Sequence, residues 1–135
     1  NRARVQSAKI VYVEADLFAW QPDHRFDVVF FGFWLSHVPP ERFAPFWQLV
    51  QSALRPNGRV FFVDSLYTEA GTALDHRLRG PEATTITRRL NDGQSFQIVK
   101  VFYQPAALAA QLADLGWQIA VQTTPQYFLY GFGER

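Results

Sequence analysis

The sequence predicts an α/β fold: a mostly parallel sheet covered by helices, closed by an antiparallel strand pair and carrying an inserted β-hairpin. Three observations predict it. First, Phe26–Phe31 (FDVVFF) and Arg59–Val63 (RVFFV) are nearly continuous apolar runs, the pattern of strands buried on both faces. Second, between them Phe43, Phe46, Trp47, Val50, Ala53 and Leu54 recur at helical spacing, giving one apolar helix face. Strand, helix and strand with short links make a βαβ unit, so these two strands should be parallel with a right-handed crossover. Third, the last residues read as a helix followed by two strands, Trp117–Gln122 and Tyr127–Phe132. The short Thr123–Gln126 link between them favours an antiparallel pair.

In order along the chain, Asn1–Ala8 is basic and helix-compatible but has no N-terminal cap, so it reads as the tail of a helix. Ile10–Val13 within Lys9–Val13 is a short β-favouring run, and Asp16 stands just past its end. A short helix is expected over Asp16–Trp20. Gln21–His24 is turn chemistry. Pro39-Pro40-Glu41 suits the first turn of a helix, because Pro is accepted there and Glu favours the positive end of the dipole. Pro45 must also lie within the first turn, so regular helix is expected from about Ala44 to Leu54. Arg55-Pro56-Asn57-Gly58 stops it, with Gly58 placed to take a left-handed conformation.

Leu66–Gly80 has no clear pattern, although Ala70–Arg79 is compatible with helix. Thr84–Leu90 and Ser95–Tyr103 flank Asn91-Asp92-Gly93-Gln94, and Asp-Gly between two β-rich runs signals a hairpin. Pro105–Leu115 begins with Pro, is rich in Ala, carries Leu108, Leu112 and Leu115 on one face, and stops at Gly116.

Composition narrows the functional classes. At 135 residues, 48% hydrophobic, the chain suffices for one domain (1–135), with 65–104 as a lid or insertion within it. A net charge of +1 supplies no field for nucleic acid or a membrane surface. No apolar run approaches the ~18 residues of a membrane span, and no signal peptide is visible. There is no Cys, hence no disulfide or thiol nucleophile. A cytoplasmic protein with a small-molecule partner is expected. The absence of Met suggests that Asn1 is not the natural start.

In parallel sheets ligands bind beyond the carboxyl ends of the strands, which directs attention to Gly32–Pro39. His37 follows Ser36 in that loop and suits a general base; it equally suits holding a backbone carbonyl. Asp16 suits recognition of an exocyclic amine or a helix N-cap. Asp64, at the end of the second strand, is functionally placed or a cap. Trp20, Phe33 and Trp34 suit a pocket lining or the core. Arg88, Arg89 and Lys100 read as a solvated face of the hairpin. His24, His37 and His76 lack metal-ligand spacing, so no metal site is expected. No G-x-G-x-x-G or P-loop occurs in the sequence.

Three stretches in order, EADLFAW (Glu14–Trp20), FDVVFFGFWLSHVP (Phe26–Pro39) and LVQSALRPNGRVFFVD (Leu49–Asp64), resemble class I S-adenosylmethionine-dependent methyltransferases. Leu54-Arg55-Pro56-Asn57-Gly58 is similar to that family's Leu-basic-Pro-Gly-Gly turn, with Asn57 in place of the first Gly. The resemblance covers almost the whole chain and implies a partial Rossmann-like methyltransferase sheet with S-adenosylmethionine as cofactor. It implies that Asp16 binds the adenine amine and the Leu17 backbone the ring edge. It places Gly32 and Phe33 beside the methionine part, and Ser36 and His37 on the substrate side; Trp34 and Asp64 join them as substrate-binding candidates, and His37 is the catalytic base where the acceptor must lose a proton and otherwise only positions it. The hairpin would shape the acceptor pocket. The family's first strands and its glycine-rich cofactor loop would precede Asn1, so the chain reads as the C-terminal part of a longer enzyme, inactive alone. The Phe26–Phe31 strand then has a raw edge with exposed side chains, which a homodimer would cover. Two other readings are a non-catalytic dimerisation module and a nicotinamide-dependent oxidoreductase on a related sheet; the antiparallel closing pair counts against the latter. On the methyltransferase reading, titration calorimetry of the 135-residue chain with S-adenosylmethionine gives weak binding or none, and micromolar binding would refute the fragment expectation.

Overall fold

In a computed structural model of the chain, residues 4, 9–67 and 84–135 are described. Of the suggested N-terminal helix tail at residues 1–8 only Arg4 is among them, and the suggested helix at 70–79, with His76, lies outside them. A four-stranded sheet has the order β1-β2-β6-β5, and a separate hairpin pairs β3 with β4. The strands are β1 (Phe26–Gly32), β2 (Leu54–Ser65), β3 (Thr85–Arg89), β4 (Ser95–Val99), β5 (Gln118–Thr123) and β6 (Phe128–Glu134). The helices are α1 (Phe43–Ala53) and α2 (Pro105–Asp114).

The βαβ unit is present: β1 and β2 are parallel, with Val29 opposite Val60 and Phe31 opposite Phe62. The closing pair is present too, β6 running antiparallel to both β2 and β5. Pro45 is the third residue of α1, where a missing N–H costs nothing. A 3-10 turn over Pro40–Arg42 leads into that helix.

Trp47 on α1 sits at the centre of the core. Its ring lies 5.8 Å from Phe31, 5.8 Å from Phe62 and 5.1 Å from Trp117, each edge-on, a geometry aromatic pairs favour. Leu108 and Leu112 bring α2 onto the same cluster. Two glycines of β6 allow close approach. A side chain on Gly131 would strike the Phe62 ring, and one on Gly133 would strike the Gln118 carbonyl of β5.

Four expectations are corrected. Lys9–Val13 forms no strand, and Val11 and Val13 are exposed; β propensity is context-dependent and does not by itself make a strand. Asp16–Trp20 is a turn rather than a helix, closed by the Ala19 N–H donating to the Asp16 carbonyl at 3.0 Å. The two long apolar strands are buried on one face only. Val29, Phe31, Val60 and Phe62 face the helices, whereas Val28 and Phe30 are 59% and 61% exposed and Phe61 40%. Among the described residues no element covers that second face, and β1 is the sheet edge expected from the sequence. Finally, Asn57 and not Gly58 takes the left-handed conformation, at φ +62°. Asn is among the residues that tolerate it. Gly58 is needed for a different reason: a Cβ there would lie 2.9 Å from the Arg55 carbonyl oxygen.

Gly133→Ala should cost more than about 2 kcal/mol in urea unfolding, because the clash is with backbone that cannot swing away. An unchanged midpoint would show that β5 and β6 do not approach as described.

Candidate functional site

The site is built at the carboxyl ends of β1 and β2. β1 ends at Gly32, and Phe33 follows at φ +55°. A left-handed Phe stores about 1–3 kcal/mol of strain. It is held because its N–H donates to the Val63 carbonyl at 2.8 Å and its ring meets Phe128 at 5.8 Å. The reversal starts a 3-10 turn, Leu35–His37, whose Leu35 and Ser36 are buried.

Asp64, at the end of β2, is 1% exposed. Its carboxylate accepts the Ser36 N–H at 2.8 Å and the Ser65 N–H at 2.7 Å. The Lys100 ammonium lies 3.5 Å from it and donates to Ser36 Oγ at 2.8 Å. Buried charges need such pairing and hydrogen bonding.

Three sequence expectations change here. Asp64 and Ser36, expected on the substrate side, are both buried and engaged with each other or with Lys100. Lys100 is not on a solvated face but 8% exposed, because the chain leaving β4 turns inward against the site. The signal for it was faint: a cation within the otherwise apolar run Ile98–Tyr103.

His37 does hold a backbone carbonyl. Its Nδ1 lies 2.7 Å from the Val99 oxygen. A carbonyl only accepts, so Nδ1 carries the proton. In the neutral ring Nε2 is then left with a lone pair. Of the two roles foreseen for this residue the carbonyl contact is the one present, and anchoring by Nδ1 leaves Nε2 able to accept a proton.

Asp16 is exposed, and its carboxylate accepts the Phe18 N–H at 3.0 Å. This organises the turn that presents Leu17. Leu17, Trp20 and Trp34 line an apolar cavity of about 380 Å³ with β1 and α1. Phe18 and Trp34 are in ring contact at 6.0 Å, and Arg42 lies over Phe18. Among the described residues the buried Trp34 indole N–H has no hydrogen-bond partner. The structure therefore brings Leu17 and Trp34 together and sets Asp16 at the adjoining turn. Gly32 is exposed, and an added Cβ would make only ordinary contacts there, so its backbone is reachable without being sterically reserved for glycine. A larger cleft, about 540 Å³ and lined by Arg25, Arg55 and Arg135, lies at the opposite end of β2 and is not part of this site. Among the described residues no group of three or more His, Asp or Glu could hold a metal, and no helix is long and apolar enough to cross a membrane.

Tyr103 packs beside this network, its ring 5.8 Å from Phe43. Burial, and then the charge of Asp64, push its phenol up from 10 to about 12. In the unfolded chain it ionises near pH 10 and in the folded chain near pH 12. The folded state therefore loses stability as pH rises through that window, by up to about 2–3 kcal/mol. Tyr103→Phe should flatten the loss between pH 10 and 12 in denaturant titrations; the same slope in both proteins would assign it elsewhere.

Comparison with solved structures gives high-probability matches over most of the chain. The DhpI–SAM–HEP complex is 40% identical, with a TM-score of 0.77 over 91% of this chain and 56% of that one. The DhpI–SAH complex is 41% identical, with a TM-score of 0.75 over 93% of this chain and 54% of that one. The Burkholderia thailandensis 1,6-didemethyltoxoflavin-N1-methyltransferase, solved with 1,6-didemethyltoxoflavin and S-adenosylhomocysteine, is 16% identical, with a TM-score of 0.59 over 91% of this chain and 49% of that one. At that identity only the fold is shared. The chain thus spans about half the length of these proteins. No family model and no curated protein matches.

Proposed function

We propose, on the premise that this chain has the class I S-adenosylmethionine-dependent methyltransferase fold, that the intact protein transfers a methyl group from S-adenosylmethionine to a small-molecule acceptor. The observation that carries this reading is 40% identity over 91% of the chain to a protein solved with SAM and HEP.

The residues present fit the adenine end of that cofactor. The cavity beside Leu17, Trp20 and Trp34 offers apolar and aromatic walls to a flat base. The exposed Asp16 carboxylate can accept from an exocyclic amine. The Gly32–Phe33 backbone is the part of this chain assigned to the methionine end. No glycine-rich loop stands among the 135 residues, so no residue here is assigned to the rest of the group.

When bound, S-adenosylmethionine supplies an electrophilic methyl carbon. What remains for the protein is alignment, exclusion of water and removal of a proton. His37 takes the acceptor's proton at Nε2 while Nδ1–H stays on the Val99 carbonyl, which orients the ring and steadies the imidazolium. Trp34 borders the apolar cavity and limits water there. Asp64 and Ser36 support this geometry from beneath and do not touch the acceptor.

The test is transfer of label from methyl-labelled S-adenosylmethionine by the intact protein, with HEP as the first acceptor tried. His37→Ala should lower kcat by about 100-fold or more with cofactor affinity nearly unchanged. Near-normal turnover in that variant removes His37 from the proton transfer. Absence of transfer to any small acceptor would reject the enzymatic reading.

A further inference from the structure

We propose that Lys100 is a positioning residue: it fixes the backbone that sets the proton of His37. Lys100 is one of the two lysines in the chain. Its ammonium donates to Ser36 Oγ and pairs with Asp64. Its own N–H donates to the Thr84 carbonyl at 2.9 Å, and its ammonium lies 5.3 Å from the Phe102 ring centroid. The residues on either side complete the attachment. Val99 offers its carbonyl to His37 Nδ1 at 2.7 Å, and the Val101 N–H donates to the Ser36 carbonyl at 2.8 Å.

Every residue from Val99 to Val101 is therefore fastened to the turn that carries His37. The attachment has a chemical consequence. A neutral imidazole in a loose setting exchanges its proton between two nitrogens. A carbonyl held at Nδ1 admits the proton on that side only, and Nε2 becomes the basic nitrogen. The carbonyl belongs to the chain leaving the hairpin, and the buried Lys100–Ser36–Asp64 group holds that chain down. Lys100 acts through Val99 on His37. Its charge is taken up by Asp64 and the Ser36 hydroxyl, which favours this role over direct capture of an anionic acceptor.

The proposal rests on His37 being the base, so its test includes a readout that needs no turnover. Lys100→Met alone leaves the Asp64 carboxylate buried and unpaired and can fail to fold. The Lys100→Met, Asp64→Asn double variant neutralises both partners and restores folding. In the intact protein, ¹⁵N NMR of the histidine rings reads the tautomer, and steady-state kinetics reads kcat and KM. The parent should show His37 protonated at Nδ1. The double variant should show a tautomer mixture, with kcat lowered about tenfold or more and cofactor KM within about twofold. A folded double variant with the parent's His37 signal and kcat overturns the proposal. If the parent transfers no methyl group, a tautomer that still shifts with Lys100 supports the positioning role while the functional reading fails. A tautomer indifferent to Lys100 overturns the positioning role whatever the activity.

Discussion

A buried carboxylate sets the terms for the rest of this site. Asp64 is 1% exposed at the end of β2, and an ionised group there must be surrounded by donors. The donors come from three separate places: the Ser65 N–H on its own strand, the Ser36 N–H after β1, and the Lys100 ammonium beyond β4. Satisfying one charge thus draws three segments of chain to one point. The turn carrying His37 is among them, so the geometry of that ring follows from the needs of a buried charge on a neighbouring strand.

The aromatic core supplies the frame on which this happens. Trp47 packs edge-on against Phe31 and Phe62, which sit opposite one another on β1 and β2. This fixes α1 across the parallel pair and so fixes where both strands end. Gly131 and Gly133 let β6 close tightly on the other side of β2. The strained Phe33 is tolerated because strand ends and ring contacts on both sides hold it. Packing and electrostatics divide the work: the core sets the strand ends, and the buried charge joins their loops.

The parts of this arrangement legible in the sequence were those governed by local rules. The α1 face, the Asp92-Gly93 hairpin and the Gly116 stop follow from periodicity and turn chemistry. The residues of the post-β1 loop follow from the rule for parallel sheets. What could not be read depends on neighbours. Phe26–Phe31 and Arg59–Val63 looked buried on both faces, but a strand's second face is buried only if another layer covers it. Lys9–Val13 has the composition of a strand but joins neither sheet. Asn57 and Gly58 were interchanged because either residue can accept a left-handed backbone, and the carbonyl of Arg55 decides which one must lack a side chain. Lys100 was misplaced for a related reason. Lys100 and Asp64 are each ordinary surface chemistry alone, and their mutual burial appears only when these residues, 36 places apart, meet.

The hairpin's attachment also bears on how the protein acquires its form. The bonds from His37 to Val99 and from Lys100 to Ser36 span sequence separations of 62 and 64. Contacts of such range require loop closure before they return any stabilisation, and they belong to the slow part of folding. The βαβ unit needs only the shorter stretch from Phe26 to Ser65. A chain can therefore hold its parallel pair and aromatic centre while His37 still lacks its carbonyl. The anchoring of His37 depends on these long-range bonds, and local opening of the hairpin would release it without unfolding the domain.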